Sequence, residues 1–284
     1  MGTYAVTGSA SGMGYQAAQQ LRDHGHTVIG VDLRDAEVIA DLSTAAGRQA
    51  AADGVLARCE RRLDGAVLAA GIGPGNGADR ARLIAEINFL GVVELLSAWR
   101  PALAATGHAK VVALASNSTT TTPAVPRRAI RALLSGDADK ATRSVRLFGP
   151  AASAIMYAAS KIALSRWVRR HAVTPEWAGS GIRLNALAPG AIMTPLLQAQ
   201  LDSPREGKAV RSFPIPCGGF GDPVHLANWI TFMLSDSADF LCGSVIFVDG
   251  GTDAYFRPDD WPKAVPVRGV PRYLWKYSRF RKTR

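Results

Sequence analysis

An α/β fold with a doubly wound parallel sheet is predicted by three observations. Apolar, β-rich runs alternate with helix-forming runs from Thr3 to about Asp253. The first run opens directly into a glycine-rich turn. The runs end at Gly8, Asp32, Gly71 and Ser116, and ligands of such sheets bind outside the carboxyl ends of the strands. Four ends carrying glycine, acid and hydroxyl side chains therefore predict one shared cleft.

Composition sets the outer limits. The 284 residues suit one large domain or two small ones, and 48% hydrophobic with 20% charged residues is ordinary for an α/β protein. Cys59, Cys217 and Cys242 are far apart, odd in number and match no metal pattern, so reduced thiols, no metal and a cytoplasmic location are expected. The first apolar run starts at Thr3 and meets the turn at once, so no signal peptide is expected; nor does any run read as a membrane span. The net charge of +10 is concentrated in residues 257–284, where nine Lys or Arg face Asp259 and Asp260 for a local +7. Residues 1–256 carry only +3 and read as a single domain; 257–284 is a basic, aromatic tail.

Thr3 to Val6 reads as a strand, Thr7 to Gly14 as the turn, Met13 to His24 as a helix, and His26 to Val31 as a second strand ending at Asp32. Glycines at 8, 12 and 14 allow a tight turn and close backbone approach, and the helix N-terminus offers N–H groups to a pyrophosphate. Asp32 is placed to accept hydrogen bonds from the adenosine ribose and to repel a 2′-phosphate, which favours NAD over NADP. Arg34, two residues on, is the one feature that would suit NADP.

Thr44 to Arg62 is Ala-, Arg- and Leu-rich and predicts a helix; Gly65 to Gly71 predicts a buried strand. Asp79 to Leu103 predicts a long helix with Asn88 inside it, and Lys110 to Ala115 a strand with Ser116 at its end. Ser118 shares the face of Ser116 if that strand continues. A helical insert is expected at about 119–150, with an amphipathic helix over Arg127 to Leu134 and a second piece over Ala138 to Leu147. It is expected either to close over the substrate as a lid or to cover a helix surface otherwise used for self-association.

Tyr157 and Lys161 lie in a strong helix former, Ser153 to Arg170, at i and i+4, on one face. A phenol beside an ammonium is an acid/base device. Half-ionising a tyrosine near neutral pH takes roughly 4 kcal/mol of help, part of which Lys161 is expected to supply. Residues 196–220 mix Leu, Phe, Pro and Gly and read as a mobile substrate loop, and Ser244 to Val248 as the last strand.

These motifs together resemble the short-chain dehydrogenase/reductase family, a Rossmann-type fold, from Thr3 to about Asp253. The resemblance implies a cofactor turn at Thr7, Gly8, Ser11, Gly12, Met13 and Gly14, with Leu33 following Asp32, and adenine held by Asp41 and Leu42. It implies further cofactor contacts from Ala70, Gly71, Pro189, Gly190, Ile192 and Thr194. It also implies a catalytic tetrad of Asn88, Ser116, Tyr157 and Lys161, the last two also contacting the cofactor. Asn88 is implied to position a water beyond Lys161. One departure stands out: Leu68 and Ala69 replace the two Asn of the family's Asn-Asn-Ala-Gly, which puts a strand-supporting hydrogen bond in doubt.

The stretches 31–44 and 183–198, with 41 residues between Ser116 and Tyr157, are similar to the family's bacterial 3α-hydroxysteroid dehydrogenase/carbonyl reductase branch. That implies an NAD-linked interconversion of a hydrophobic secondary alcohol and its ketone by a homodimer or homotetramer. An aryl (coniferyl-type) alcohol dehydrogenase and a non-catalytic NAD-sensing protein are the alternatives. The tail, with Trp261, Tyr273, Trp275, Tyr277 and Phe280 among its cations, is expected to pack on its own or a neighbouring subunit. Peripheral membrane contact is the lesser expectation, and nucleic acid the least.

Overall fold

In the computed structural model, which describes residues 1–203, 207–260 and 265–280, the first apolar run forms strand β1 (Thr3–Thr7). The glycine turn then opens helix α1 (Gly12–Asp23). The alternation continues through β2 (Thr27–Asp32), a two-residue β3 (Val38–Ile39) not expected from the sequence, α2 (Ala45–Arg58) and β4 (Gly65–Leu68). Thr44 is the N-cap of α2, its hydroxyl accepting the Gly47 N–H at 3.0 Å, so the helix begins one residue later than predicted. The predicted long helix is continuous but mixed: α3 (Arg80–Ala85), a π-helical turn (Glu86–Leu90), and α4 (Gly91–Ala104).

Beyond β5 (Lys110–Leu114) the strand stops short of Ser118, which starts the one-turn α5 (Ser118–Thr121). The insert contains α6 (Arg127–Leu134), as expected, and α7 (Ala138–Val145), and leads into α8 (Ala152–His171). Next come β6 (Arg183–Pro189), α9 (Pro195–Asp202), α10 (Gly207–Arg211), α11 (Pro223–Leu234), β7 (Val245–Val248), α12 (Thr252–Phe256) and α13 (Val270–Arg279). The predicted substrate loop therefore carries two short helices; its residues 204–206, and Trp261 and 281–284 of the tail, lie outside the described residues.

Among the described residues the sheet has seven strands, all parallel, in the order β3-β2-β1-β4-β5-β6-β7. The chain winds one way from β1 to β3 and the other way from β4 to β7, so the crevice opens outside the carboxyl ends of β1 and β4. The central strands read Val-Val and Ala-Val without alternation because helices cover both faces. On one face α2, α4 and α8 close over Trp99, Phe89 and Leu96; on the other α1 and α11 bring Leu21, Ile230 and Met233 together. Trp99 is fully buried, and its loss to Ala would cost roughly 3–5 kcal/mol.

Helices α6 and α7 of the insert are cover, while its opening residues Thr121 and Thr122 line the cleft. Ile130, Leu133, Ala141 and Val145 join the core on the α8 side, where α6 and α7 pack on α3 and α8, and neither helix lines the cleft above Tyr157. Residues Ala138–His171 are apolar and long enough to cross a membrane by hydropathy, against the expectation of no such run. The stretch is broken at Gly149 (φ 54°), and the apolar side chains of α8 are core residues. In the tail, α13 has no buried residue, so the expected packing on its own subunit does not occur among the described residues.

Candidate active site

The turn after β1 makes the floor of the crevice. Gly8 holds φ +70°, and a Cβ on Gly14 would stand 2.2 Å from the Gly8 carbonyl oxygen. Only glycine lets the first turn of α1 approach the strand end so closely, and that turn leaves backbone N–H groups facing the crevice. A cavity of about 210 Å³ follows, lined by Gly8, Ser11, Gly12, Met13, Gly14, Asp32, Leu33, Asp41, Leu42, Ala70, Gly71 and Thr194. This is a groove with amide donors at its centre and an acid at its far end, which suits the diphosphate and ribose of a dinucleotide.

Asp32 is more committed than its sequence position suggested. Its carboxylate accepts the N–H of Ala10 at 3.0 Å and of Leu33 at 2.7 Å, so it braces the turn while facing the cavity. Arg34 points into solvent beside Asp35, its side chain 84% exposed, and has no fixed place over the groove.

Thr7, Asn88 and Lys161 do not line the cavity; they stand behind its wall. Thr7 is buried and its Oγ1 accepts the Ala70 N–H at 3.1 Å, tying the end of β1 to the loop after β4. Asn88, fully buried in the π turn, accepts from the Ile72 N–H and donates to the Ile72 carbonyl, both at 2.9 Å. These two residues support the loop where Leu68 and Ala69 have no polar side chains to do so. A π turn in mid-helix often marks a functional position, and this one carries Asn88 against the Ile72 backbone.

Lys161 lies just beyond Gly71: a Cβ there would be 3.9 Å from Nζ. Its ammonium donates to the Leu114 carbonyl at 2.6 Å and sits 5.8 Å from the Tyr157 ring centroid. Burial holds Lys161 down to about 8. Burial also raises Tyr157, and a hydrogen bond from the Ser116 hydroxyl pulls the phenol back only in part. In the cofactor-free protein, desolvation of the phenol is thus the larger effect and keeps Tyr157 above the ordinary tyrosine value.

Tyr157 and Ser116 face a second cavity, of about 340 Å³. Pro189, Gly190 and Ile192 form one wall; Pro74, Ala154, Leu196, Leu197, Val210 and Phe213 supply apolar cover. Met13, Thr194 and Leu196 line both cavities, so the two meet there. Thr194 caps α9 by accepting the Leu197 N–H at 3.4 Å. Ser116 Oγ accepts the Ser118 N–H at 3.1 Å, and the Ser118 hydroxyl, also at this cavity, is buried without a hydrogen-bond partner.

Sequence reasoning missed two supports. Arg48, 6% exposed, joins Glu86 at 2.9 Å and Glu94 at 2.6 Å and donates to the Leu42 carbonyl at 3.2 Å, fixing the end of the groove assigned to adenine. Asp249 accepts the N–H of Gly251 and Asp253 and the Asn117 amide, joining the ends of β5 and β7. Asp249 directly follows the last predicted strand, which ends at Val248, and that position was the available signal for it; nothing in the spacing pointed to Arg48.

Comparisons with known proteins agree in kind. Residues 4–194 match the NAD dependent epimerase/dehydratase family, and residues 141–253 match the family described as Enoyl-(Acyl carrier protein) reductase. The chain is 39% identical to 3-alpha-hydroxysteroid dehydrogenase/carbonyl reductase of Comamonas testosteroni, over 91% of this chain and 99% of that protein. Among solved structures, the 3-alpha-hydroxysteroid dehydrogenase from Pseudomonas sp. B-0831 complexed with NADH is 40% identical with a TM-score of 0.85, covering 91% and 100% of the two chains. Levodione reductase is 27% identical with a TM-score of 0.69, covering 89% and 97%.

Proposed function

The chain belongs to the short-chain dehydrogenase/reductase family, and from that premise we propose that it is an NAD-dependent enzyme interconverting a hydrophobic secondary alcohol and its ketone, with 3α-hydroxysteroids as the substrate class. The observation that carries this reading is the apolar cavity over Tyr157 and Ser116, opening at Met13 and Thr194 into the glycine-floored groove. The full-length likeness to two 3α-hydroxysteroid dehydrogenases supports the substrate class.

In this reading the substrate oxygen takes a hydrogen bond from Ser116, while Tyr157 accepts the hydroxyl proton as a phenolate on oxidation and returns it as a phenol on reduction. Bound NAD would supply the hydride chemistry at the carbinol carbon, and Pro189, Gly190, Ile192 and Thr194 are assigned to hold its nicotinamide end. Lys161, behind Gly71, adds positive charge beneath the phenol and is assigned to the nicotinamide ribose. The first turn of α1 holds the diphosphate, Asp32 the adenosine ribose, and Asp41 and Leu42 the adenine. Asn88 fixes the loop through Ile72 and so sets where Gly71 meets Lys161. Leu196, Leu197, Val210 and Phe213 exclude water and favour a bulky apolar alcohol over a sugar.

Free Cys59, Cys217 and Cys242 fit a reducing compartment, and we place the protein in the cytoplasm. Since α6 and α7 cover the α3–α8 flank, we assign self-association to edge strand β7, which is partly exposed, and to α11 on the opposite face of the sheet, which shows Trp229 and Phe232.

The test is initial-rate cofactor reduction with 3α- and 3β-hydroxysteroids and aryl alcohols, each with NAD⁺ and NADP⁺. A dominant 3α-steroid rate with NAD⁺ is expected. Turnover of aryl alcohols alone would discard the steroid assignment, and NAD⁺ binding without any turnover would point to a sensing protein.

A further inference from the structure

The segment after Phe256 carries chemistry that an oxidoreductase does not require. In α13, Val270, Tyr273, Leu274 and Tyr277 are 40%, 54%, 57% and 77% exposed. Their spacing of i, i+3, i+4 and i+7 places them on one stripe of the helix. Arg272, Lys276 and Arg279 fall on the other side, Arg268 continues that row in the preceding turn, and residues 265–280 contain no acid. Arg279 lies 5.1 Å over the Trp275 ring, which borders the basic row.

We propose that α13 is a membrane-surface anchor. Its Val270-Tyr273-Leu274-Tyr277 stripe would lie at the acyl boundary of an anionic bilayer, with the Arg and Lys row against lipid phosphates. Charge complementarity selects this occupant. A second copy offers little to a basic helix, because residues 1–256 are themselves +3. Nucleic acid fits poorly as well. Base stacking uses aromatics set within a basic groove, whereas here cations and apolar side chains occupy separate faces, with Leu274 and Val270 in the apolar one. The proposal does not depend on the substrate assigned to the cleft.

The test is co-sedimentation of the full chain with vesicles of phosphatidylcholine mixed with phosphatidylglycerol, and with vesicles of phosphatidylcholine alone, at low and high salt. Binding is expected only to the anionic vesicles and is expected to weaken as salt rises. Each cation contributes roughly fivefold to such binding, so the triple variant Arg272→Glu/Lys276→Glu/Arg279→Glu loses it altogether. The double variant Leu274→Ser/Tyr277→Ser weakens it at least about tenfold. Both variants keep the wild-type unfolding midpoint and molar mass, since every substituted side chain is exposed. Four results overturn the proposal: no binding to anionic vesicles, unchanged binding by either variant, a lower molar mass in the double variant, or a duplex DNA gel shift without vesicle binding.

Discussion

Lys161 sits 5.8 Å from the centre of the Tyr157 ring, while its ammonium donates to the Leu114 carbonyl at 2.6 Å. The pair is one helical turn apart on α8, and both groups are desolvated without cofactor, which pushes the lysine towards its neutral form and the tyrosine towards its protonated one.

The first prediction concerns stability and pH. Lys161 titrates at about 8 in the folded protein against 10.5 as a free side chain. Between these values the unfolded chain binds the extra proton, so stability rises with pH across this window, by up to about 3 kcal/mol, and the penalty is complete below it. Urea unfolding of the cofactor-free protein should show the wild type gaining on Lys161→Met from pH 8 to 10. Lys161→Met should be the more stable of the two near pH 7, and inactive. Parallel pH curves for the two proteins would contradict the assignment.

Asn88 is predicted to act on the groove through Ile72. Asn88→Ala removes two hydrogen bonds from the half-buried Ile72 backbone and should cost about 2 kcal/mol. Cofactor affinity should fall with it, measured by calorimetry well below the unfolding temperature. Asn88→Asp, which keeps the acceptor for the Ile72 N–H but not the donor, should fall between.

Arg48→Ala leaves Glu86 with only the longer Arg82 contact at 3.7 Å and should destabilise by about 2–3 kcal/mol. Because the same guanidinium holds the Leu42 carbonyl, KM for the cofactor should rise more than kcat falls. An unchanged KM in a folded variant would remove Arg48 from the adenine end of the groove.

Asp32→Asn should raise KM for NAD⁺ and relax discrimination against NADP⁺, each by about tenfold, since the charge that repels a 2′-phosphate is gone. Initial rates with both cofactors measure this directly.

The sequence made the frame legible where function and local chemistry coincide. A strand, a glycine turn and a helix must sit together to approach a phosphate, so Gly8, Gly14 and Asp32 were readable from order alone. Tyr157 and Lys161 were readable because helical spacing alone puts them together. What the sequence withheld depends on tertiary placement. Arg48 meets Glu86 and Glu94 only because α2 packs on α4, and no spacing rule links them. The burial that raises Tyr157 in the cofactor-free protein is set by the whole fold, and helical spacing carries no signal of it. The substrate segment read as loop because α9 and α10 are too short to show a period. The tail's amphipathic helix was obscured by a composition that suits packing equally well.

The most direct test of the account is Tyr157→Phe, assayed for NADH formation from a 3α-hydroxysteroid beside calorimetric NAD⁺ binding. The phenol alone is assigned the moving proton, so turnover should fall by about 10³-fold or more while the NAD⁺ dissociation constant stays within about twofold. Turnover near the wild-type rate would contradict the mechanism, and loss of NAD⁺ binding along with turnover would mean that Tyr157 serves the cofactor rather than the proton.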